Sequence, residues 1–313
     1  MILVTGGTGF IGRALIRQLA EEGHEIRSLI RPSSETPDLP RGVSIDVAIS
    51  NISDERSLRA AVSGVDTVYH LVGSEWQGVW QDLHQTEIEG TRTLVAVAQD
   101  AGVKRIFYVS HLGADRASAY PVLKAKGIAE QRIRKSGIPY TIIRSGLVFG
   151  PRDNFTTAIA RLGLLFPVFP TPGEGDSLVQ PIWIEDLVTC LNWSLGDPET
   201  INKTYEVGGP EHLTIDDVVA ETLAAAGINR VLMSARPSYM RLLGIFLEYL
   251  FPGLPLSIYW IDYLAAHRTT ALDSLPRSFG LMPAQFKKHL DYLQAGDWRR
   301  GLLRDLLRRR SRR

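Results

Sequence analysis

The spacing of apolar positions changes period repeatedly along the first half of the chain. Ile2–Thr5 is a short apolar run, and Ile11–Glu22 then repeats apolar residues at helical spacing. Glu25–Ile30 reads as a second strand, Ser57–Val62 as a short helix and Thr67–Leu71 as a strand. Glu87–Ala101 has the helical period and stops at Gly102. Arg105–Ser110 is a strand, Lys124–Ser136 a helix and Tyr140–Arg144 a strand. Strands alternating with helices over short connections predict an α/β chain with a doubly wound parallel sheet. After Gly150 the density of Pro and Gly rises, and LLFPVFPTPGEGDSLVQP reads as a long irregular excursion, of the kind that serves or covers a site. A helix (Ile184–Leu195), a strand (Thr204–Val207) and a helix (Thr214–Ala226) follow, and the last part is helical and amphipathic. The expected organisation is a sheet domain over 1–150, with 181–207 returning to it. A smaller, mainly helical lobe takes 151–180 and 208–297, and a basic tail takes 298–313.

Composition adds limits. Hydrophobic residues make up 44% of the 313 positions, enough for a sizeable core. The single cysteine, Cys190, forms no intramolecular disulfide, and the scattered histidines predict no metal site. Met1 leads straight into ILVTG with no room for a leader, so the expectation is a cytoplasmic protein, peripheral to a membrane if the tail binds one. The most apolar stretch, Leu242–Ala266, is broken by Glu248, Pro252, Pro255 and Asp262, and falls short of the roughly 20 residues of a spanning helix. Residues 298–313 hold eight arginines against one aspartate, net +7, so the overall charge of +1 leaves −6 for the remainder. Leu302, Leu303, Leu306 and Leu307 form a stripe among those arginines. The pattern suits an anionic membrane surface or an acidic protein partner, with a solvated terminal helix as the alternative. No nucleic-acid recognition motif is present.

The candidate chemistry begins at ILVTGGTGFIG. Gly6, Gly9 and Gly12 sit directly after a strand and at the mouth of a helix, with Thr8, Phe10 and Ile11 between them. That context defines a Rossmann phosphate loop. Gly6 allows the turn, Gly9 lets a pyrophosphate approach the backbone, and Gly12 lets the helix pack closely. The helix start supplies free N–H groups and a positive dipole end. The second strand ends in Arg31. An acidic residue there would bind the ribose 2′-hydroxyl of NAD(H), whereas an arginine pairs with the 2′-phosphate of NADP(H). NADP(H) is therefore favoured over NAD(H), unless Arg31 is only a solvated loop residue.

TGGTGFIG resembles the opening of the extended and atypical branches of the short-chain dehydrogenase/reductase superfamily. The resemblance continues through NISDERSL, VDTVYHLVG, IEGTRTLVAVAQDAGVKRIFYVSHLGA, KSGIPYTIIRSGLVFGPRDNF, VQPIWIEDLV and TYEVGGPEHLT, covering about residues 1–225. It implies that Asn51 and Ile52 meet the adenine, Asn51 through its side-chain oxygen, and that Leu71, Val72 and Gly73 pass under the cofactor. It also implies hydride transfer by a tyrosine, a lysine four residues on, and a serine or threonine that polarises a carbonyl. Tyr120 and Lys124 have that spacing. The family's lysine, however, is commonly followed by Glu at +4 and Ser-Gly at +10, which Lys126 meets through Glu130, Ser136 and Gly137 and Lys124 does not. In that register Val122 takes the tyrosine's place. The two lysines lie about 200° apart around a helix, so they cannot share a role. Pro121 keeps Tyr120 at the helix entrance.

We therefore expect Lys126 at the ribose, with Lys124 as the alternative. Ser110 is expected at the carbonyl, and Tyr120 or His111 at the proton, each of the latter two being otherwise an ordinary surface or loop residue. Glu87 stands where relatives often have Asn, and Ser145 where they often have Pro. In the excursion, Phe155, Leu162, Leu164, Leu165, Phe166, Val168 and Phe169 suit a small or lipophilic substrate better than a sugar nucleotide, or simply pack the second lobe. The resemblance leaves three functions open. The first is an NADP(H)-dependent oxidoreductase on a carbonyl compound. The second is a non-catalytic NADP(H)-binding accessory, assembly or sensor protein, like the accessory Rossmann subunit of respiratory complex I. The third is a nucleotide-sugar epimerase or dehydratase.

Overall fold

The alternating periods fold as a layered α/β structure. The computed structural model describes residues 1–33, 36–73, 82–251, 253–255, 257–264 and 266–307. Its strands are β1 (Ile2–Thr5), β2 (Ile26–Ile30), β3 (Asp46–Ile49), β4 (Thr67–His70), β5 (Arg105–His111), β6 (Tyr140–Ser145), β7 (Val148–Phe149), β8 (Val168–Pro172), β9 (Leu178–Val179), β10 (Ile182–Trp183), β11 (Lys203–Val207), β12 (Leu213–Thr214) and β13 (Val231–Ala235). Its helices are α1 (Phe10–Glu21), α2 (Glu55–Val62), α3 (Gly90–Asp100), α4 (Pro121–Arg134), α5 (Thr156–Leu162), α6 (Ile184–Gly196), α7 (Ile215–Ala225), α8 (Pro237–Leu250), α9 (Ile258–Leu264), α10 (Ser274–Phe279) and α11 (Trp298–Leu307). Two compact units result. Among the described residues, one holds 1–73, 82–145 and 184–207, and the other 146–183 and 208–307.

The first unit is a seven-stranded sheet in the order β11-β6-β5-β4-β1-β2-β3, with every neighbouring pair parallel. The strand order reverses between β1 and β4, which opens a crevice at the carboxyl ends of those strands, where such sheets bind ligands. On one face α1 buries Leu15, Ile16 and Leu19 and packs on α6, which buries Leu187, Val188 and Leu191. On the other face Leu58, Val62, Leu94, Ala98, Ala129 and Ile133 meet Leu3, Val68, Ile106 and Ile142 of the strands in one continuous core. Each leucine, isoleucine and valine among them contributes on the order of 1.5–3 kcal/mol by leaving water. Strand β3 escapes sequence reading because DVAI is short and mostly exposed at the sheet edge. Helix α7 begins one residue after the periodicity suggests because Thr214 is its cap, in a reciprocal capping box with Asp217.

The described residues of the second unit form three two-stranded ribbons, β7–β10, β8–β13 and β9–β12. The excursion expected to be irregular holds β8 and β9. In VFPTP the two prolines hide the strand from pattern reading, yet an outer ribbon tolerates them, and Val168 pairs in register with the distant Val231. Phe149 anchors this unit, with ring centroids 4.7 Å from Phe286 and 5.3 Å from Trp183. The buried Asp153 accepts N–H bonds from Gly150, Phe155 and Thr157 and the Thr156 hydroxyl; burial raises its pKa, and the bonds from Thr156, Thr157 and Gly150 oppose that rise.

Candidate functional site

The turn between β1 and α1 is built by close backbone approach. Gly6 has φ +75°, and a Cβ there would lie 2.7 Å from the Leu71 carbonyl oxygen. A Cβ on Gly12 would fall on the Gly6 carbonyl and 2.7 Å from the Gly7 Cα, so α1 can rest on the turn only with glycine at that position. The N-cap of α1 is Gly9, which supplies no side-chain cap, and the first turn has no acidic residue. Its N–H groups are therefore left for an external anion. Arg13 holds the turn from outside, donating to the Thr8 carbonyl at 2.7 Å and pairing with Asp38 at 3.3 Å. Leu71 continues from β4 with its N–H on the Thr5 carbonyl, so Leu71–Gly73 runs beside Gly6.

Arg31 follows the end of β2 and is exposed. Asn51 is exposed as well, whereas Ile52 is buried. The Asn51 side-chain oxygen already accepts the Ser53 N–H at 3.1 Å, which leaves one lone pair for an adenine amino group. Ile52 is 5% exposed and belongs to the core beneath the sheet, its side chain facing Gly90 of α3, so that side chain is not offered to a ligand.

At the carboxyl edge of β4–β6 the structure gathers polar groups in a dry setting. Tyr120 caps α4 with extended backbone (φ −85°, ψ 120°), Pro121 fills the first helical position, and Lys124 is exposed. Lys126, two residues on, is 3% exposed. Its Nζ lies 3.2 Å from Oε2 of the buried Glu87 and 5.2 Å from the Tyr108 ring centroid. Glu87 owes this position to a π-helical turn, His84–Glu89, inserted before α3 where the sequence period suggested regular helix. Ser110, next to last in β5, is fully buried, and its hydroxyl has no hydrogen-bond partner among the described residues. His111 is half-buried beside it.

A second polar chain lies under this group and was not anticipated from sequence. His70 Nε2 is 2.9 Å from the Thr91 hydroxyl, which itself donates to the Glu87 carbonyl at 2.5 Å. Thr91 must therefore accept from Nε2–H, leaving Nδ1 to accept from the Thr5 hydroxyl at 2.8 Å. That is the neutral tautomer. Complete burial, reinforced by the charge on Lys126, pushes the His70 pKa down to about 3. Helix α4 is fixed by Glu130, whose buried carboxylate receives Arg144 through two bonds of 2.9 and 2.8 Å and Arg134 at 2.8 Å. The Glu130 hydrogen bonds raise the Arg144 pKa.

These residues fit a dinucleotide: the loop is a cradle that a Cβ would fill, the helix start is uncapped, and a buried hydroxyl is left over at the strand edge. The NAD(P)H-binding family model matches residues 6–159. The chain is 29% identical to the 2-alkyl-3-oxoalkanoate reductase of Stenotrophomonas maltophilia, over 90% of this chain and 94% of that protein. It is 30% identical to the NAD(P)H azoreductase of Xenophilus azovorans, over 72% of this chain and 74% of that protein. It is 28% identical to subunit 9 of the NADH dehydrogenase [ubiquinone] 1 alpha subcomplex of Arabidopsis thaliana, over 69% of this chain but only 55% of that protein. The solved structure of an NADPH-dependent quinone oxidoreductase from Escherichia coli shares the fold, with TM-score 0.72 at 22% identity over 94% of this chain and 99% of the other. The chain belongs to the atypical branch of the short-chain dehydrogenase/reductase superfamily, within which it is an NAD(P)H-binding, reductase-like member.

The second unit holds a cavity of ≈ 120 Å³. Phe155, Leu162, Phe166 and Phe169 of the expected apolar set line it, together with residues of α7, α8 and α9. Leu165 and Val168 face solvent instead, at 36% and 39% exposure. The leucine stripe of the tail also divides. Leu302 is buried as α11 packs on α5, where Arg161 pairs with Asp305 at 3.0 Å, while Leu303 and Leu307 are exposed. Residues 308–313 of the tail lie outside the described residues.

Proposed function

We propose that the chain is an NADP(H)-dependent reductase of a small or lipophilic carbonyl compound. The observation that carries this reading is Lys126, an amine held almost completely out of water at the carboxyl edge of the sheet. Bound NADPH would supply a hydride to the carbonyl carbon. Lys126 would hold the ribose hydroxyls, Ser110 would donate its spare hydroxyl to the carbonyl oxygen, and Tyr120 or His111 would deliver the proton to that oxygen. The backbone of Gly6–Gly12, with Thr8, Phe10 and Ile11, would take the pyrophosphate. Arg31 would take the 2′-phosphate, and Asn51, the backbone of Ile52 and the segment Leu71–Gly73 would border the adenosine and the ribose. Among the described residues the cavity lining has two hydroxyls, Thr171 and Ser257, and no charged side chain, which supports a lipophilic substrate over a sugar nucleotide. The relative acting on 2-alkyl-3-oxoalkanoates, matched over most of its length, supports the same class. The basic tail is read as a docking element for an anionic surface.

The test is oxidation of NADPH and of NADH by the purified chain with a series of 3-oxo acids of increasing chain length. Turnover that rises with chain length and is faster with NADPH is the expected result. A second reading, a non-catalytic NADP(H)-binding accessory protein, draws on Val122 standing four residues before Lys126, where a tyrosine would serve catalysis. That reading predicts tight dinucleotide binding with no turnover of any carbonyl in the series.

A further inference from the structure

Helix α8 displays an apolar surface that the described residues of its unit leave exposed. Tyr239, Leu242, Ile245, Phe246, Tyr249 and Leu250 are between 44% and 73% exposed. At 100° per residue these positions, with Leu243, fill a continuous arc of about 160°, interrupted only by Ser238. Single exposed apolar residues are ordinary, but a contiguous helical face of them is not. The opposite face is the packed one. Gly244 and Glu248 are buried, and Glu248 Oε1 accepts the Ile258 N–H at 2.8 Å, tying α8 to α9. Met240, Leu243 and Gly244 turn towards the apolar cavity. The strand leading into α8 continues the exposed surface, with Val231 at 68% and Met233 at 55%.

We propose that α8 seats the protein on an anionic bilayer, lying in the interfacial plane with its outer face against the acyl chains. The chemistry of the face chooses this occupant. Tyr239 and Tyr249 are aromatic residues with a polar tip, the type that settles at headgroup depth. Arg236 is exposed at the start of the helix, Arg241, which pairs with Asp262 at 3.4 Å, borders the apolar arc, and the only acidic residue between 236 and 251, Glu248, is turned inward. A chain of 14 residues, about 21 Å long, is an interfacial length and not a spanning one. Among the described residues no helix is long and apolar enough to cross a membrane. The same chain ends in a segment of net +7, five of whose arginines fall within its last six residues, which supplies the headgroup attraction that an interfacial helix needs. The proposal goes beyond the reductase reading and does not depend on it.

Flotation of the full chain with vesicles, without cofactor or substrate, tests it. One set of vesicles is phosphatidylcholine alone and the other contains phosphatidylglycerol. Recovery with the anionic vesicles is expected, and both Leu242→Asp and Phe246→Asp should lower the vesicle-bound fraction at least tenfold. These positions are exposed, so dinucleotide affinity in both variants should stay at the wild-type value and certify folding. Three results would overturn the proposal. They are wild-type binding by both variants, loss of binding on removal of 308–313 alone with no effect of Phe246→Asp, and a dimer in size exclusion that Phe246→Asp disperses while no vesicle binds. Failure to reduce any carbonyl would end the reductase reading and leave this result standing.

Discussion

His70 should dominate the acid sensitivity of the sheet unit. Its imidazole is completely buried between two threonine hydroxyls, in the tautomer that those hydroxyls dictate, and its pKa is held down to about 3 from 6.5. The unfolded chain therefore takes the proton first as pH falls, and stability present above pH 6.5 is lost towards pH 3. At pH 5 the difference is about 1.36 × 1.5, or about 2 kcal/mol, and the full loss by pH 3 is on the order of 5 kcal/mol. His70→Gln keeps an amide donor and acceptor for the two threonines but cannot titrate. It should cost about 1–3 kcal/mol at pH 7 through imperfect hydrogen bonds. Urea unfolding of both proteins at pH 7 and pH 5 isolates the histidine, because every other acid-titrating group is common to the pair. Wild type should lose about 2 kcal/mol more than the variant over that interval. An equal loss, within about 0.5 kcal/mol, would mean that His70 takes its proton in the folded state, and the buried chain from Thr5 to Glu87 would not exist as described.

Gly12→Ala should weaken dinucleotide binding by about 5- to 150-fold, equivalent to about 1–3 kcal/mol of overpacking against the Gly6–Gly7 backbone; calorimetric titration checks it, and an unchanged Kd refutes the cradle. Arg31→Ala should lower NADPH affinity about tenfold or more and leave NADH affinity unchanged, since a charge-assisted hydrogen bond to phosphate is worth about 1.5–3 kcal/mol. Equal changes for both cofactors would remove the argument for NADP(H). Lys126→Met should reduce kcat at least a hundredfold and Lys124→Met by less than twofold, on the order expected for loss of a group at the reacting centre. The reverse ranking would restore the Tyr120/Lys124 spacing as the operative one.

What could be read from the sequence was local. The strand, turn and helix of ILVTGGTGFIG are contiguous, so glycine spacing and apolar period together define their geometry. Pro121 likewise makes Tyr120 a cap. The partner of Lys126 was hidden, because Glu87 reaches it only through a π-helical turn that shifts the helical period. Asn51 and Ile52 show a different limit. Their neighbours in sequence are visible, but the hydrogen bond to Ser53 and the contact with Gly90 are tertiary facts. The cavity joins residues near 160 to residues near 215, 240 and 260, a convergence that no periodicity announces. In the tail, the amphipathic stripe predicted one apolar face, and packing on α5 used only part of it.

The Lys126–Glu87 pair offers the sharpest separation of catalysis from passive binding. Two opposite charges removed from water lose hydration that their mutual attraction only partly restores, so a buried pair is poor value as a structural device. Replacing both with apolar residues of similar volume, Glu87→Leu with Lys126→Met, should leave stability unchanged or raise it by about 1–4 kcal/mol. Either single replacement leaves one charge without the partner it has at 3.2 Å, and should cost about 3–5 kcal/mol. If the chain is a reductase, the more stable double variant is also an inactive one, with kcat lost and the fold intact by circular dichroism. If it is a passive NADP(H)-binding protein, no activity is there to lose, and the double variant differs from wild type only in thermal midpoint and dinucleotide affinity. A double variant as unstable as the sum of its two singles would show that the pair holds α4 to the π-helical turn, and the case for a functional amine at position 126 would fall with it.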